Sequence, residues 1–325
     1  MRHLLSSAAV VLAALPVAVP TAAAQELTPL TYQLNWLPQG EHCGFFQAEA
    51  AGLYDEAGLD VELLPGGPDV NGTMLVAGGR VDLGMGSAFT TLNMANEGID
   101  GVTVAAYLQK SPQTLVAHPG QGVATLEDLK GRDIMVANFS RTEFWQFLRA
   151  EHGFTDDQLE PYAYSAAPFL ADETAVQQGY ITEDAFLLGA EMEEPPVTLL
   201  LADYGYQDYA STVYGMEDWI AANRETVQAF VEATAEGYRQ CIEGDPTPAK
   251  EAVMAANPDH SAELFDFKLE QMRKRNLVTG EAGVPIGGMT EARWQSFGET
   301  MKAAGVYPAE LDISEAYDLS FVTGE

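Results

Sequence analysis

The sequence is poor in basic side chains and in cysteine, and after its first 25 residues it has no long apolar run. Each shortage removes a class of function. Sixteen lysines and arginines stand against 48 aspartates and glutamates, a formal net charge of −32. Such a surface repels nucleic acid and anionic membranes, so neither is expected as a partner. The acidic residues are scattered and form no long block, which reads as a solvated surface suited to a saline habitat. An anionic ligand stays open, because a pocket can be locally positive. The two cysteines, Cys43 and Cys241, are too few for a disulfide scaffold in 325 residues. In an oxidising compartment they could pair, but nothing in the sequence brings them within bonding distance, so free thiols are the favoured expectation. No histidine lies at ligand spacing from either, which argues against a structural zinc site. No later segment reaches roughly 18 consecutive apolar residues, the length of a membrane span.

What is there begins with a leader. Arg2 and His3 precede an apolar stretch from Leu4 to Val19, and Ala22-Ala23-Ala24 supplies a small-residue cleavage pattern. This is the layout of a secretory signal peptide over residues 1–24. The mature chain is expected to begin at Gln25 and to be soluble and periplasmic. No cysteine follows the cleavage point, which argues against a lipid anchor. The roughly 300 residues that remain suffice for one large domain or two lobes.

Periodicity and turn residues give the element order. Strands are expected at 30–36, 59–64, 81–85 and 102–108. Helices at 43–57, 71–77 and 88–96 alternate with them. A second block repeats the alternation: a short helix at 125–129, strand 133–137, helix 142–152, strand 160–164, helix 169–177, strand and turn 179–187, and strand 197–201. From Met216 the pattern turns helical, with segments 216–223, 224–242, 246–256, 260–273 and 289–304. Such alternation implies crossover connections and a mainly parallel sheet in each block, covered by helices. Residues 25–113 with 212–325 are expected to form the first lobe and its helical tail, and 114–211 the second.

Catalytic signatures fail. The five histidines, at 3, 42, 118, 152 and 260, are too scattered for a compact metal motif. There is no phosphate-binding glycine-lysine loop, no G-x-S-x-G elbow and no CxxC. Gly84-x-Gly86 lacks the third glycine of a dinucleotide fingerprint. No metal, cofactor or catalytic residue is therefore expected.

Polar and aromatic residues instead gather where strands end and helices begin, the place where open α/β sheets bind ligands. Asn35 and Trp36 end the first strand, and Gln39, Glu41 and His42 fill the turn before the first helix. Gly67 lies in the Pro65-Gly66-Gly67-Pro68 break after the second strand. Gly86 and Ser87 open a helix whose N–H groups can hold a polar ligand edge, or Ser87 is an ordinary cap. Asn138 and Phe139 do the equivalent in the second block. Tyr180, Thr182 and Glu183 end a further strand, with Glu183 able to accept hydrogen bonds from an amino group.

Three stretches carry a resemblance: Leu34-Asn35-Trp36, the run from Phe45 through Ala51-Gly52-Leu53-Tyr54 to Gly58-Leu59-Asp60-Val61, and Leu75-Val76-Ala77-Gly78-Gly79-Arg80-Val81-Asp82-Leu83-Gly84. Thr125 to Gly131 and Asn223 to Phe230 extend it over nearly the whole mature chain. The sequence resembles the substrate-binding components of nitrate/sulfonate/taurine-type ABC importers. Within them it is most similar to the branch related to thiamine pyrimidine precursor binders and to fungal thiamine-pyrimidine synthase. The resemblance implies a two-lobed periplasmic binding protein fold of type II. It also implies a monomer that binds a small molecule and docks on a membrane permease. It further implies a pyrimidine-like heterocycle stacked on Trp36 and Tyr180, with Glu183 at its amino group. A flavin or purine fragment is the neighbouring alternative, and an alkanesulfonate, taurine or nitrate would call on Arg141. A pyrimidine-synthase-like enzyme would use His42 and iron, but the cysteine-rich motif of the fungal enzyme is absent.

Overall fold

The computed structural model describes residues 26–280 and 283–322; the expected signal peptide over 1–24 lies outside the described residues. Four strands come first: β1 (Thr28–Gln33), β2 (Leu59–Leu64), β3 (Leu83–Ser87) and β4 (Gly101–Leu108). The chain then builds a second sheet from β5 (Gln113–Ala117), β6 (Ile134–Val136), β7 (Leu159–Pro161), β8 (Val176–Tyr180) and β9 (Val197–Leu200). It returns to the first with β10 (Ala210–Met216). The strand orders are β2-β1-β3-β10-β4 and β7-β6-β8-β5-β9. In the first sheet β1 runs parallel to β2 and β3, while β10 inserts antiparallel between β3 and β4. The second repeats the plan, with β5 antiparallel to β8 and β9. Both sheets are mixed, with helices packed around them, and the chain crosses between them at residues 109–112 and 201–209.

The helical tail follows its apolar spacing closely, with helices at Glu217–Ala222, Arg224–Glu243, Thr247–Ala256, Ala262–Lys274 and Glu291–Ala303. Other segments differ from expectation. The helix expected at 43–57 breaks into Cys43–Ala50 and Leu53–Glu56, because Gly52 takes a left-handed conformation (φ 74°) that ends the first piece. The helix expected at 169–177 is only Ala167–Ala171, since Val176–Tyr180 is strand β8. Of the strand and turn expected at 179–187, the strand starts earlier and ends at Tyr180, and Asp184–Leu187 forms a helical turn.

The two cysteines are bonded, which corrects the free-thiol expectation. Cys43 and Cys241 are both fully buried, with Cα atoms 6.2 Å apart across a sequence separation of 198. Helices Cys43–Ala50 and Arg224–Glu243 approach so closely that neither tolerates a side chain at the contact. A Cβ on Gly44 would lie 1.9 Å from the Tyr238 ring, and one on Gly237 would lie 2.1 Å from the Gly44 carbonyl. Tyr32 stacks on Phe45 at 4.7 Å and Tyr107 on Tyr238 at 4.8 Å around this seam. A second core joins Phe89, Trp145, Phe147 and Leu148 to Trp294, Phe297 and Met301. The tail helix Glu291–Ala303 thus shares a core with the helix Phe144–His152 that flanks the second sheet.

Candidate functional site

The carboxyl ends of β1, β3, β6 and β8 face one another across the two sheets. Trp36, three residues beyond β1, is half-buried, and its ring centroid lies 4.9 Å from that of Tyr164, just past β7. Tyr162 continues the aromatic row at 5.4 Å from Tyr164. The Gly66 N–H donates to the Trp36 carbonyl at 3.0 Å, fixing the indole's backbone. A Cβ on Gly66 would come within 2.4 Å of the Leu34 carbonyl, so this approach requires glycine. Asn35 is exposed beside it, and Gly67 is half-buried.

Ser87 caps the helix Ala88–Asn96 in a capping box with Thr90. Its hydroxyl also donates to Glu143 Oε1 at 2.9 Å, across the gap to the second sheet. Gly86, half-buried, leaves room for the Thr90 side chain, whose Oγ1 would lie 2.5 Å from a Cβ there. The same helix N-terminus meets Asp208, which accepts from the Ala88 N–H and the Tyr206 hydroxyl, each at 2.9 Å. Burial pushes the Asp208 carboxyl up to about 7, although those donors pull it down. Burial, then repulsion from Asp208, pushes Glu143 up to about 8. Tyr180, at the end of β8, is raised by burial and then by Glu143, Glu41 and Asp208, so it lies amid the carboxylates.

A third group is a buried ion network. Lys268, on the helix Ala262–Lys274, is 0% exposed, with its ammonium 3.1 Å from Glu41 and 2.7 Å from Glu183. Gln39, buried, accepts from the same ammonium at 3.4 Å. Thr182 is buried and its hydroxyl donates to Glu41. Burial opposes the charge on Lys268, but the two carboxylates outweigh it and its pKa is raised. Glu183, with its side chain 32% exposed, is therefore engaged in an ion pair. His42 lies beneath this network, 1% exposed, with Nδ1 unpartnered; burial and then Lys268 bring its pKa to about 3. Its ring has no open surface from which to touch a ligand.

Asn138 and Phe139 follow β6 and are exposed, Phe139 at 64%. Arg141 donates toward the carbonyls of Val136 and Glu160, at 3.4 and 3.5 Å. The expected residues thus divide into an aromatic wall at Trp36, a polar seam at Ser87 and Tyr180, and an ion network at Gln39, Thr182 and Glu183. Sequence reasoning missed Glu143, Tyr164, Asp208 and Lys268. Only Lys268 carried a signal, as a lysine on the apolar helix face of Leu264, Phe265, Leu269 and Met272. Among the described residues no cluster of three or more metal-binding side chains occurs, and no helix is long and apolar enough to cross a membrane. A cavity of about 540 Å³, lined by Asp100, Glu217, Arg224 and Tyr317, includes none of the strand-end residues.

The sequence signature of a family described as NMT1/THI5 like matches residues 39–249. Riboflavin-binding protein RibY of Chloroflexus aurantiacus is 25% identical over 335 aligned positions, covering 96% of this chain and 91% of that protein. The 4-amino-5-hydroxymethyl-2-methylpyrimidine phosphate synthase THI11 of Saccharomyces cerevisiae is 29% identical, over 50% of this chain and 46% of its own. Among solved structures, the periplasmic aliphatic sulphonate binding protein SsuA of Escherichia coli superposes with a TM-score of 0.67. It is 14% identical, over 89% of this chain and 91% of that one.

Proposed function

As the chain belongs to the NMT1/THI5-like family, we propose that it is the solute-binding component of an ABC importer, taking a flat, uncharged aromatic N-heterocycle between its two lobes. It works outside the cytoplasmic membrane, in the periplasm, and delivers the ligand to a membrane permease. The observation that carries this reading is Trp36 set against Tyr164 across the gap between the sheets. Indole and phenol faces form apolar walls whose spacing a planar ring can enter by parting them. Around those walls the anionic groups are carboxylates, and the nearby cations Lys268 and Arg141 are already engaged. Lys268 is held by two carboxylates and Arg141 by backbone carbonyls. That arrangement favours a heterocycle over a sulfonate or nitrate. The burial of His42 likewise supports a binding role over a synthase that needs this ring at a substrate.

The ligand shares a pyrimidine-type ring edge, either free, as in an aminopyrimidine, or fused, as in a flavin. Two relatives support this choice: one named for riboflavin, the other for a methylpyrimidine phosphate. Titration calorimetry with riboflavin, 4-amino-5-hydroxymethyl-2-methylpyrimidine and taurine tests it and separates the sources. One of the two heterocycles should bind and taurine should not. At a hundred times its Kd the ligand should stabilise the protein by about 2.7 kcal/mol, seen as a raised Tm. Binding of taurine alone would overturn the reading.

A further inference from the structure

Glu143 reaches across the gap from the second sheet to the helix N-terminus of the first, accepting from Ser87 at 2.9 Å. It sits just before the helix Phe144–His152 and is half-buried. Its Oε1 accepts from the Ser87 hydroxyl, while Oε2 makes no hydrogen bond among the described residues and stays partly accessible. We propose that Glu143 is a ligand-contacting residue that sets specificity, its Oε2 donating a hydrogen bond to an acceptor atom on the heterocycle's edge. This rests on the binding-protein reading above.

A carboxyl group donates only when it keeps its proton, and the surroundings of Glu143 keep it there. Asp208 faces it from the 201–209 crossing, and Tyr164, Tyr180, Tyr206 and Tyr307 are its further ionisable neighbours among the described residues. No basic side chain figures among them; Arg293 faces Asp208 and donates to that residue's carbonyl. Two carboxyls beside one another at a helix N-terminus titrate as a pair, and the more buried Asp208 takes the N–H donors. Glu143 is left as the acid. Ring nitrogens and ring carbonyls are acceptors, so an edge rich in them is selected. An edge that presents only N–H groups leaves this donor unmatched, at a cost typical of an unpaired buried polar group.

The test is calorimetric titration of riboflavin and of 4-amino-5-hydroxymethyl-2-methylpyrimidine, from pH 7 to 9.5, on wild type, Glu143→Ala and Glu143→Gln. Wild-type affinity should fall about tenfold per pH unit above 8, as expected for loss of a single proton. Glu143→Gln keeps a donor at every pH, so its affinity should stay within a few-fold of wild type at pH 7 and be flat to 9.5. Glu143→Ala should weaken binding at pH 7 by ten- to hundredfold, with an unchanged circular dichroism spectrum. Wild-type binding without pH dependence, or a Glu143→Gln profile that still falls with pH, would overturn this assignment and leave the functional reading standing. If neither heterocycle binds wild type, both fall together.

Discussion

A fully buried lysine is tolerated only where its charge is answered, and Lys268 is answered twice, by Glu41 and Glu183. Removing the lysine strands Glu41, itself buried, so Lys268→Ala should cost about 3–5 kcal/mol in urea denaturation. Glu183→Gln should cost much less, because that carboxylate is partly solvated. Trp36 lies on a half-buried wall, so Trp36→Ala should abolish heterocycle binding while shifting the unliganded Tm little. A large drop in Tm would make the indole a core residue instead. Proton linkage at neighbouring side chains has a definite sign. Glu143 and Asp208, raised to about 8 and about 7 from the ordinary carboxylate range, hold protons in the folded protein that the unfolded chain has released. Their contribution to stability is therefore lost as pH rises from about 4 through 8. His42, lowered to about 3 from 6.5, opposes this below pH 6.5, where the unfolded chain takes up a proton the folded one refuses. Thermal scans should show Tm rising as pH falls from 8.5 to 6.5 and rising less steeply below it, where His42 offsets one of the two protons. Glu143→Gln with Asp208→Asn should remove most of that rise.

At the scale of elements, the seam between Cys43–Ala50 and Arg224–Glu243 is held by a crosslink and by paired glycines. Closing a loop of 198 residues restricts the unfolded chain strongly, and the double Cys43→Ser, Cys241→Ser variant should lose about 2–5 kcal/mol. Gly44→Ala should destabilise by about 1–3 kcal/mol or more, since its methyl group meets the Tyr238 ring. The elements that were legible in the sequence are those whose burial follows a local period. Strand β2 and the tail helices are examples, their apolar faces being set by neighbours two residues away in the strand and three or four away in the helices. Strands β5 and β10 were not legible, because their place as antiparallel insertions is decided by partners far along the chain. Val213 of β10, for instance, pairs with Met85 and Ala105. The candidate site divides the same way. Trp36, Ser87 and Tyr180 follow from where strands end. Glu143 and Asp208 matter because segments 56 and 120 residues away in sequence cover them.

For the whole molecule, the chain passes twice between the sheets, and the pairs Trp36–Tyr164, Ser87–Glu143, Glu41–Thr182 and Lys268–Glu183 all span the gap. If the proposed lobes part about the two crossings, these four break together, while the Lys268–Glu41 pair stays on one side. The formal charge of −32 adds self-repulsion to every compact state. Salt screens such repulsion over a Debye length of about 10 Å at 0.1 M, so Tm should rise between 0.05 and 1 M sodium chloride. A flat or falling curve would mean that local ion pairs outweigh the overall field.

The crosslink at the helix seam also orders events in time. A chain delivered from its N-terminus presents Cys43 long before Cys241, with the entire second sheet still to come between them. The bond therefore cannot close until residue 241 of 325 is in place, with three tail helices still to follow, and its two sulfurs then disappear into the interior. Each molecule thus carries an internal record that both sheets were made before the seam was locked. A copy cut short before Cys241 keeps an unmatched Cys43 thiol, which marks it chemically as unfinished.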